Sequence, residues 1–332
     1  MMRRFRFSTE SGALAAEARR SAAAVAAERG LDESEAGKVA LVVTEAATNL
    51  VKHAGGGEIL VGPGRDGGTV EVLSLDRGPG MANPAACLRD GFSTSGTAGT
   101  GLGAIARLAS RFDIHSAPGA GTALVATVAA SRRAAAAERF EAAGVAIPAP
   151  GETACGDAWA ASVRADGITI VVVDGLGHGT LASEAAAEAV RAFRAVGTRP
   201  VPEIVDAMHG ALRSTRGAAV AVAEIDGRRG VVTFCGIGNV SGTIVADGPA
   251  RNAVSHGGIA GHGTVRIQPF TYPWPPGGLL ILTTDGIASH WNLDAYPGLR
   301  RRDPALVAGV LYRDFVRGRD DATVVVARER PR

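Results

Sequence analysis

The sequence predicts two domains of different fold class: an α/β layer first, then a β-rich domain with paired helices. Three observations predict this. The chain has 332 residues, enough for two ordinary domains. A charged, Ala-rich stretch, "ASRRAAAAERFE" at 130–141, marks a change of composition. Ahead of it helical periodicity alternates with a few strands, whereas behind it short strands recur between turn signals.

Each element has its own signal. Residues 3–8 alternate and read as an edge strand, and 12–29 and 33–53 read as helices. The second opens with Asp32 as N-cap and Glu35 three residues on, a capping-box pattern. Strands are expected at 57–63 and 68–76, a Gly/Ser/Thr-rich loop at 77–100, a helix at 102–112, and strands at 112–116 and 121–128. A loop that long inside a domain is usually functional. Residues 131–142 are expected to link a domain at 1–130 to one at 143–332. In the second, strands are expected at 157–164, 167–174, 218–225, 230–235, 240–246, 278–284 and 321–328, with helices at 181–196 and 201–214.

Composition excludes several classes. Net charge is +2 with both signs interspersed, so no nucleic-acid groove is expected. Three scattered cysteines give neither a disulfide framework nor zinc spacing and fit a reducing cytoplasm. The basic start "MMRRFRFSTE" lacks a following apolar core, so no signal peptide is expected, and no run approaches a membrane span.

The first chemical constellation is "TEAATNLVKHAGGGEILV", which places Glu45 and Asn49 four residues apart on one helix face. An amide and a carboxylate aimed at one site can hold hydrated Mg²⁺ and orient a hydroxyl. Alone, such a pair is more often two solvated helix positions. "LDRGPGM" then ends a strand with Asp76, followed by Gly78 and Gly80. A carboxylate there can accept from an adenine amino group, and the glycines let backbone approach the base. "GTGLGA" opens a helix with Gly99, Gly101 and Gly103, freeing backbone N–H groups for phosphates.

In this order the three boxes resemble the GHKL ATP-binding fold, an α/β sandwich of a mixed sheet plus helices. Within it, residues 1–130 are similar to the switch kinases of bacterial partner-switching systems, the RsbT/RsbW/SpoIIAB group, and "HAGGGEILV" is most similar to the RsbT branch. The resemblance implies ATP and Mg²⁺ as cofactors and phosphorylation of a serine or threonine on a STAS-domain partner. By motif, Glu45 is the general base, Asn49 the Mg²⁺ ligand and Asp76 the adenine contact, while Gly78, Gly80, Gly99, Gly101 and Gly103 shape the pocket. No phosphoacceptor His box is present. His53 reads as a packing or capping residue.

The second constellation is a set of carboxylates at strand ends. They are Asp157 in "TACGDAWA", Asp174 in "VVVDGLGHG", Asp285 in "LLILTTDGIASHW", and Asp320 and Asp321 in "GRDDATVVVAR". One such Asp is usually a turn residue or cap. Several in matching strand–Asp–Gly contexts point to a cation, and hard oxygens without Cys or His clusters point to Mg²⁺ or Mn²⁺. Carboxylates bridging two ions suit phosphoryl chemistry.

These motifs resemble the metal-dependent phosphatases of the SpoIIE/RsbX type over residues 143–330, and "GIGNVSG" and "YPWPPGGLLILTTDG" are most similar to the RsbX branch. The resemblance implies a β-sandwich flanked by helices with two Mn²⁺ or Mg²⁺ ions. By motif, Asp174 bridges the metals and Gly175 adds its carbonyl. Asp285 and Asp320 complete the second metal's ligands, Asp157 binds a metal or its water, and Asp174 and Asp285 carry the catalysis. Asp321 is the alternative to Asp320. His178 reads as lining its loop rather than as a general acid, Cys155 and Cys235 as small buried residues, and Trp274 as packing.

The expected function is a bifunctional regulator, a kinase and a phosphatase acting on a STAS-domain protein. The alternative is an ATP-gated module that sequesters a sigma factor or regulates the phosphatase without kinase turnover. A homodimer is one expected assembly.

Overall fold

The computed structural model describes residues 2–8, 12–65, 68–88, 101–130 and 138–331. Its packing divides the chain into two units that do not follow the linear order. The first comprises Met1–Ala135 together with Leu293–Arg313, and the second Ala136–Asn292 together with Asp314–Arg332. The expected division at 1–130, 131–142 and 143–332 is contiguous, whereas this grouping places Leu293–Arg313 with the first unit.

In the first unit, β1 (Arg3–Ser8), β2 (Gly56–Pro63), β3 (Thr69–Leu75), β4 (Arg111–Ser116) and β5 (Thr122–Ala129) form a sheet in the order β1-β2-β3-β5-β4. Every pairing is antiparallel, where a mixed sheet was expected. Helices α1 (Gly12–Glu28), α2 (Glu33–Asn49) and α4 (Gly101–Leu108) cover one face, and α3 (Pro84–Cys87) is one turn in the loop before α4. The shared core includes Ala18, Ala22, Val25, Val39, Val43, Ala46, Ile105, Ile59, Val72 and Leu124. Alanines at helical spacing on α1 let it approach α2 closely.

The capping box at Asp32 and Glu35 is present, with both reciprocal hydrogen bonds. The predicted helix over 33–53 is α-helical only to Asn49. It continues as one wider π-helical turn, Leu50–Ala54, and stops at Gly55 in the left-handed region. The helix expected over 102–112 ends at Leu108, because β4 starts at Arg111. Gly99 and most of the loop's second half lie outside the described residues, as do 131–137 of the expected linker.

The far face of this sheet meets the inserted segment. Helix α7 (Pro304–Phe315) lies with Gly309 against Leu73 and Leu75 of β3. Its sequence, "PALVAGVLYRDF", is apolar on every side and buried from Pro304 to Arg313. It therefore shows no amphipathic period, which is why periodicity did not predict it.

The second unit holds two sheets. One is ordered β13-β10-β9-β8-β7, with β14 also on β10, and contains β7 (Asp157–Arg164), β8 (Gly167–Gly175), β9 (Ala218–Asp226), β10 (Val231–Ile237), β13 (Ser255–His256) and β14 (Phe270–Pro273). The other is ordered β12-β11-β15-β16-β6, from β6 (Phe140–Ile147), β11 (Ser241–Val245), β12 (Arg251–Ala253), β15 (Leu279–Thr283) and β16 (Ala322–Glu329). Phe140, Ile170, Val172, Phe234, Leu280, Leu282 and Val325 fill the space between them. Helices α5 (Thr180–Val196) and α6 (Val201–Leu212) pack on the first sheet through Ala185, Ala189, Phe193, Ile204 and Met208. This is the expected sandwich flanked by helices. β6 was not predicted, because "FEAAGVAI" is Ala-rich and carries few β-branched residues.

Candidate functional sites

The first site is built where α2 ends. Glu45 and Asn49 share one helix face. The first turn of α4 faces them: a Cβ added at Gly101 would lie 3.3 Å from both Glu45 Oε2 and Asn49 Oδ1. Glycine at 101 thus keeps that space open, and Gly103 is buried one turn on. Thr44 and Thr48 bond back to helix carbonyls, so they do not occupy the two functional side chains.

Asp76 follows β3 directly. Its Oδ1 accepts from the N–H groups of Gly78 (2.8 Å) and Thr122 (3.0 Å), which leaves its other oxygen without a hydrogen bond among the described residues. Burial raises its pKa above the ordinary value, opposed by those two N–H groups and by the charge of Arg313. A Cβ at Gly78 would sit 2.7 Å from Ala54, so the turn packs directly on the π-helical turn that continues α2. Gly80 has φ +68, and a Cβ there would meet the carbonyl of Ala117. The structure therefore gathers Glu45, Asn49 and Gly101 in one place, and Asp76, Gly78 and Gly80 on the turn beside the end of α2. His53 is exposed on the last turn, so it is not a packing residue.

The second site is built from strand ends. Asp157 starts β7 and stands opposite Asp174 near the end of β8. Asp157 is 4% exposed, and its Oδ2 accepts from Thr284 Oγ1 at 2.7 Å, while its buried Oδ1 meets no donor with hydrogen-bond geometry. Burial, and then the charge of Asp174, pushes Asp157 well up. Asp174 is pushed up to about 7 by burial and by the charges of Asp285, Asp320 and Asp321. No side-chain cation is among the main influences on Asp157, Asp174 or Asp321.

Asp320 and Asp321 differ sharply. Asp321 is buried, with Oδ1 accepting from Ala149 N–H (2.9 Å) and Oδ2 from Gly156 N–H (3.0 Å). Among the described residues, Asp320 accepts only from the N–H of its neighbour Asp321, at 2.9 Å. Gly286 brings the Asp285 turn against this pair, since a Cβ there would lie 1.9 Å from the carbonyl of Asp321. Gly175 is equally restricted, with a Cβ position 2.3 Å from the carbonyl of Ala182.

Sequence reasoning missed two groups here. Asn239 donates from Nδ2 to Asp285 Oδ2 at 2.8 Å, and its signal was the turn in "GIGNVSG" right after β10. Glu152 Oε1 lies 2.7 Å from His178 Nδ1, which fixes an exposed imidazole at the loop's rim. Burial pushes the thiols of Cys155 and Cys235 up, in keeping with small packed residues. Trp274 packs in the sandwich core.

The donor set fits hard divalent cations. One buried carboxylate oxygen lacks a donor, and neighbouring carboxylates repel one another. Among the described residues, no three His, Cys, Asp or Glu side chains enclose an ion by themselves, so water and backbone oxygens must complete any shell.

Residues 164–330, just over half of the chain, match the Stage II sporulation protein E (SpoIIE) family. The chain belongs to the SpoIIE family. Residues 7–128 match the Histidine kinase-like ATPase domain family. This SpoIIE-family chain is 34% identical over 100 residues to the serine/threonine-protein kinase RsbT of Bacillus subtilis (strain 168), across 30% of the chain and 75% of that protein. It is 26% identical over 140 residues to the phosphoserine phosphatase RsbX of the same organism, across 41% of the chain and 69% of that protein. A structure described under "The bacterial stressosome: a modular system that has been adapted to control secondary messenger signaling" is similar at TM-score 0.54 and 27% identity, covering 57% of the chain and all of that structure. RsbX in complex with magnesium shares the fold at TM-score 0.50 and 21% identity, covering 60% of the chain and 99% of that structure. The chain thus joins an RsbT-like kinase-type domain to a SpoIIE/RsbX-type phosphatase domain, the domain pairing of partner-switching regulators. Among the described residues no helix is long and apolar enough to cross a membrane.

Proposed function

We propose that the chain is a bifunctional partner-switching regulator. Its N-terminal domain phosphorylates a serine or threonine of a STAS-domain protein at the expense of ATP. Its C-terminal domain removes phosphate from the same or a related protein in a metal-dependent reaction. The observation that carries this reading is the joint presence of Glu45–Asn49–Gly101 and the Asp157–Asp174–Asp285–Asp320 group in one chain.

In the kinase site, Glu45 is placed to take the proton of the acceptor hydroxyl. Asn49 would hold Mg²⁺, the α4 N-terminus would receive the phosphates, and the open oxygen of Asp76 would accept from the adenine amino group. In the phosphatase site, Mn²⁺ or Mg²⁺ when bound activates water and neutralises the phosphoryl group. Asp174 and the carbonyl of Gly175 would hold the ions, and Asp157 would hold a metal or its water. Asp285, oriented by Asn239, and Asp320 would hold the second ion. Asp321 is a structural clasp, because both its oxygens serve backbone N–H groups. Tethering both activities raises their effective concentration at a shared substrate.

Incubation of the full chain with Mg-ATP and a cognate STAS-domain protein tests the kinase half, and EDTA against added Mn²⁺ tests the phosphatase half. Phosphorylation unaffected by Glu45→Ala would remove the assigned base. Dephosphorylation that survives EDTA would remove the metal reading. A sigma factor co-purifying with an inactive N-terminal domain would favour sequestration instead.

A further inference from the structure

We propose that Arg313 is a positioning residue of the nucleotide pocket, and that the segment it ends links that pocket through the chain to the carboxylate shell of the phosphatase domain. The proposal rests on the reading of the Asp76 turn as the adenine contact.

Arg313 is only 8% exposed and lies 237 residues after Asp76 in sequence. Its Nη1 donates to the backbone carbonyl of Asp76 at 2.7 Å. The guanidinium of Arg77 in turn donates to the carbonyl of Arg313. Asp76 is past the end of β3, so Arg313 provides its carbonyl with a partner there, and a buried carbonyl needs one. The side chain and backbone N–H of Asp76 are fixed by Gly78 and Thr122, and its carbonyl by Arg313. The turn that presents the free carboxylate oxygen is thus held from both sides.

The segment ahead of Arg313 is firmly fastened within the first unit. The N–H of Asp303 donates to Asp113 at 2.8 Å, and the Asp303 carboxylate pairs with Arg65 and Arg111. His115 Nε2 lies 3.2 Å from the carbonyl of Pro297. The Tyr312 hydroxyl donates to Glu58 at 3.2 Å and accepts from Arg4 at 3.1 Å.

One residue later the chain is in the second unit, and its next residues grip the Asp285 turn. The carbonyl of Phe315 accepts from Ala288 N–H at 2.9 Å, Val316 bridges Ile287, and Arg317 N–H donates to the carbonyl of Gly286 at 2.8 Å. Asp320 follows three residues on. A short path of hydrogen bonds joined by the main chain from Arg313 onward therefore runs from the Asp76 carbonyl to both the Asp285 turn and Asp320. A nucleotide that stiffens the Asp76 turn stiffens residues 314–317 and the Gly286 turn, and such coupling is reciprocal.

The test uses the full chain and two readouts other than turnover. The first is the affinity for the fluorescent nucleotide mant-ADP. Losing a buried, charge-assisted hydrogen bond in Arg313→Ala should weaken binding about tenfold, and Arg313→Lys, which keeps a donor, should recover part of it. The second is hydrogen exchange with and without mant-ADP. Nucleotide should slow exchange at Gly286–Ala288 and at Phe315–Arg317 in the unaltered chain and not in Arg313→Ala. Protection confined to the Asp76–Gly80 turn in the unaltered chain would overturn the link, even if Arg313→Ala fails to fold. Unchanged mant-ADP affinity in a folded Arg313→Ala would overturn the positioning role. No mant-ADP binding by the unaltered chain would sink the nucleotide reading along with this proposal.

Discussion

Asp157 and Asp174 stand directly opposite each other on β7 and β8, and the charge of Asp174 raises the proton affinity of Asp157. Like charges facing across a ladder oppose folding. Asp174→Asn should therefore abolish metal-dependent dephosphorylation and, in EDTA at pH 8, stabilise the protein by about 1–2 kcal/mol. Thermal denaturation in EDTA checks the second effect. A lower melting temperature in the variant would show that the carboxylates are not in repulsion.

The two adjacent aspartates before β16 should respond in opposite ways. Asp320→Asn should lose Mn²⁺-dependent activity and keep its stability. Asp321→Ala should strand two buried N–H groups, at Ala149 and Gly156, and cost about 2–4 kcal/mol. Urea unfolding beside a phosphatase assay separates them, and the reverse pattern would move the ligand role to Asp321.

For the kinase half, Glu45→Gln should reduce phosphoryl transfer at least about a hundredfold with mant-ADP affinity within about twofold of the parent. Gly101→Ala makes the complementary prediction. Its methyl group would press on both Glu45 and Asn49, so transfer should fall while the base remains. Equal transfer in Gly101→Ala would mean that the gap at α4 is not used.

Glu71 gives a pH dependence with a definite sign. Burial, helped by the Asp303 charge and opposed by Arg65 and Arg111, pushes its carboxyl from 4.5 up to about 7. Below 4.5 both folded and unfolded chains hold the proton. Between 4.5 and about 7 the unfolded chain releases it first, so stability falls as pH rises, and above 7 the loss is complete. The loss is at most about 3 kcal/mol. Glu71→Gln should flatten this slope and be the more stable protein at pH 8, as urea titrations at pH 5 and pH 8 would show. An unchanged slope would place the titration elsewhere.

Much of this was legible in the sequence, for identifiable reasons. The capping box, the alternating strands and the strand–Asp–Gly turns are local signals, and they fell where expected. The candidate carboxylates converge because each ends a strand of the sandwich. Asn239 and Glu152 were not legible, because each acts on a partner far along the chain, Asp285 and His178, and neither sits in a periodic pattern. The same holds for α7: a helix buried all round carries no polar face to betray its period. Nor does the sequence show why Asp321 and Asp320 differ, since that depends on which N–H groups happen to face them.

The place of Leu293–Arg313 bears on inheritance as well as on stability. This segment lies inside the SpoIIE match yet packs with the ATPase half. A cut anywhere between residues 131 and 142 would give one fragment whose β3 lacks Gly309 of α7 at Leu73 and Leu75, and another that carries the apolar α7 away from that strand. Each would be prone to aggregate. The two halves are therefore hard to separate by a single genetic break, so mutation and selection act on the pair as one piece.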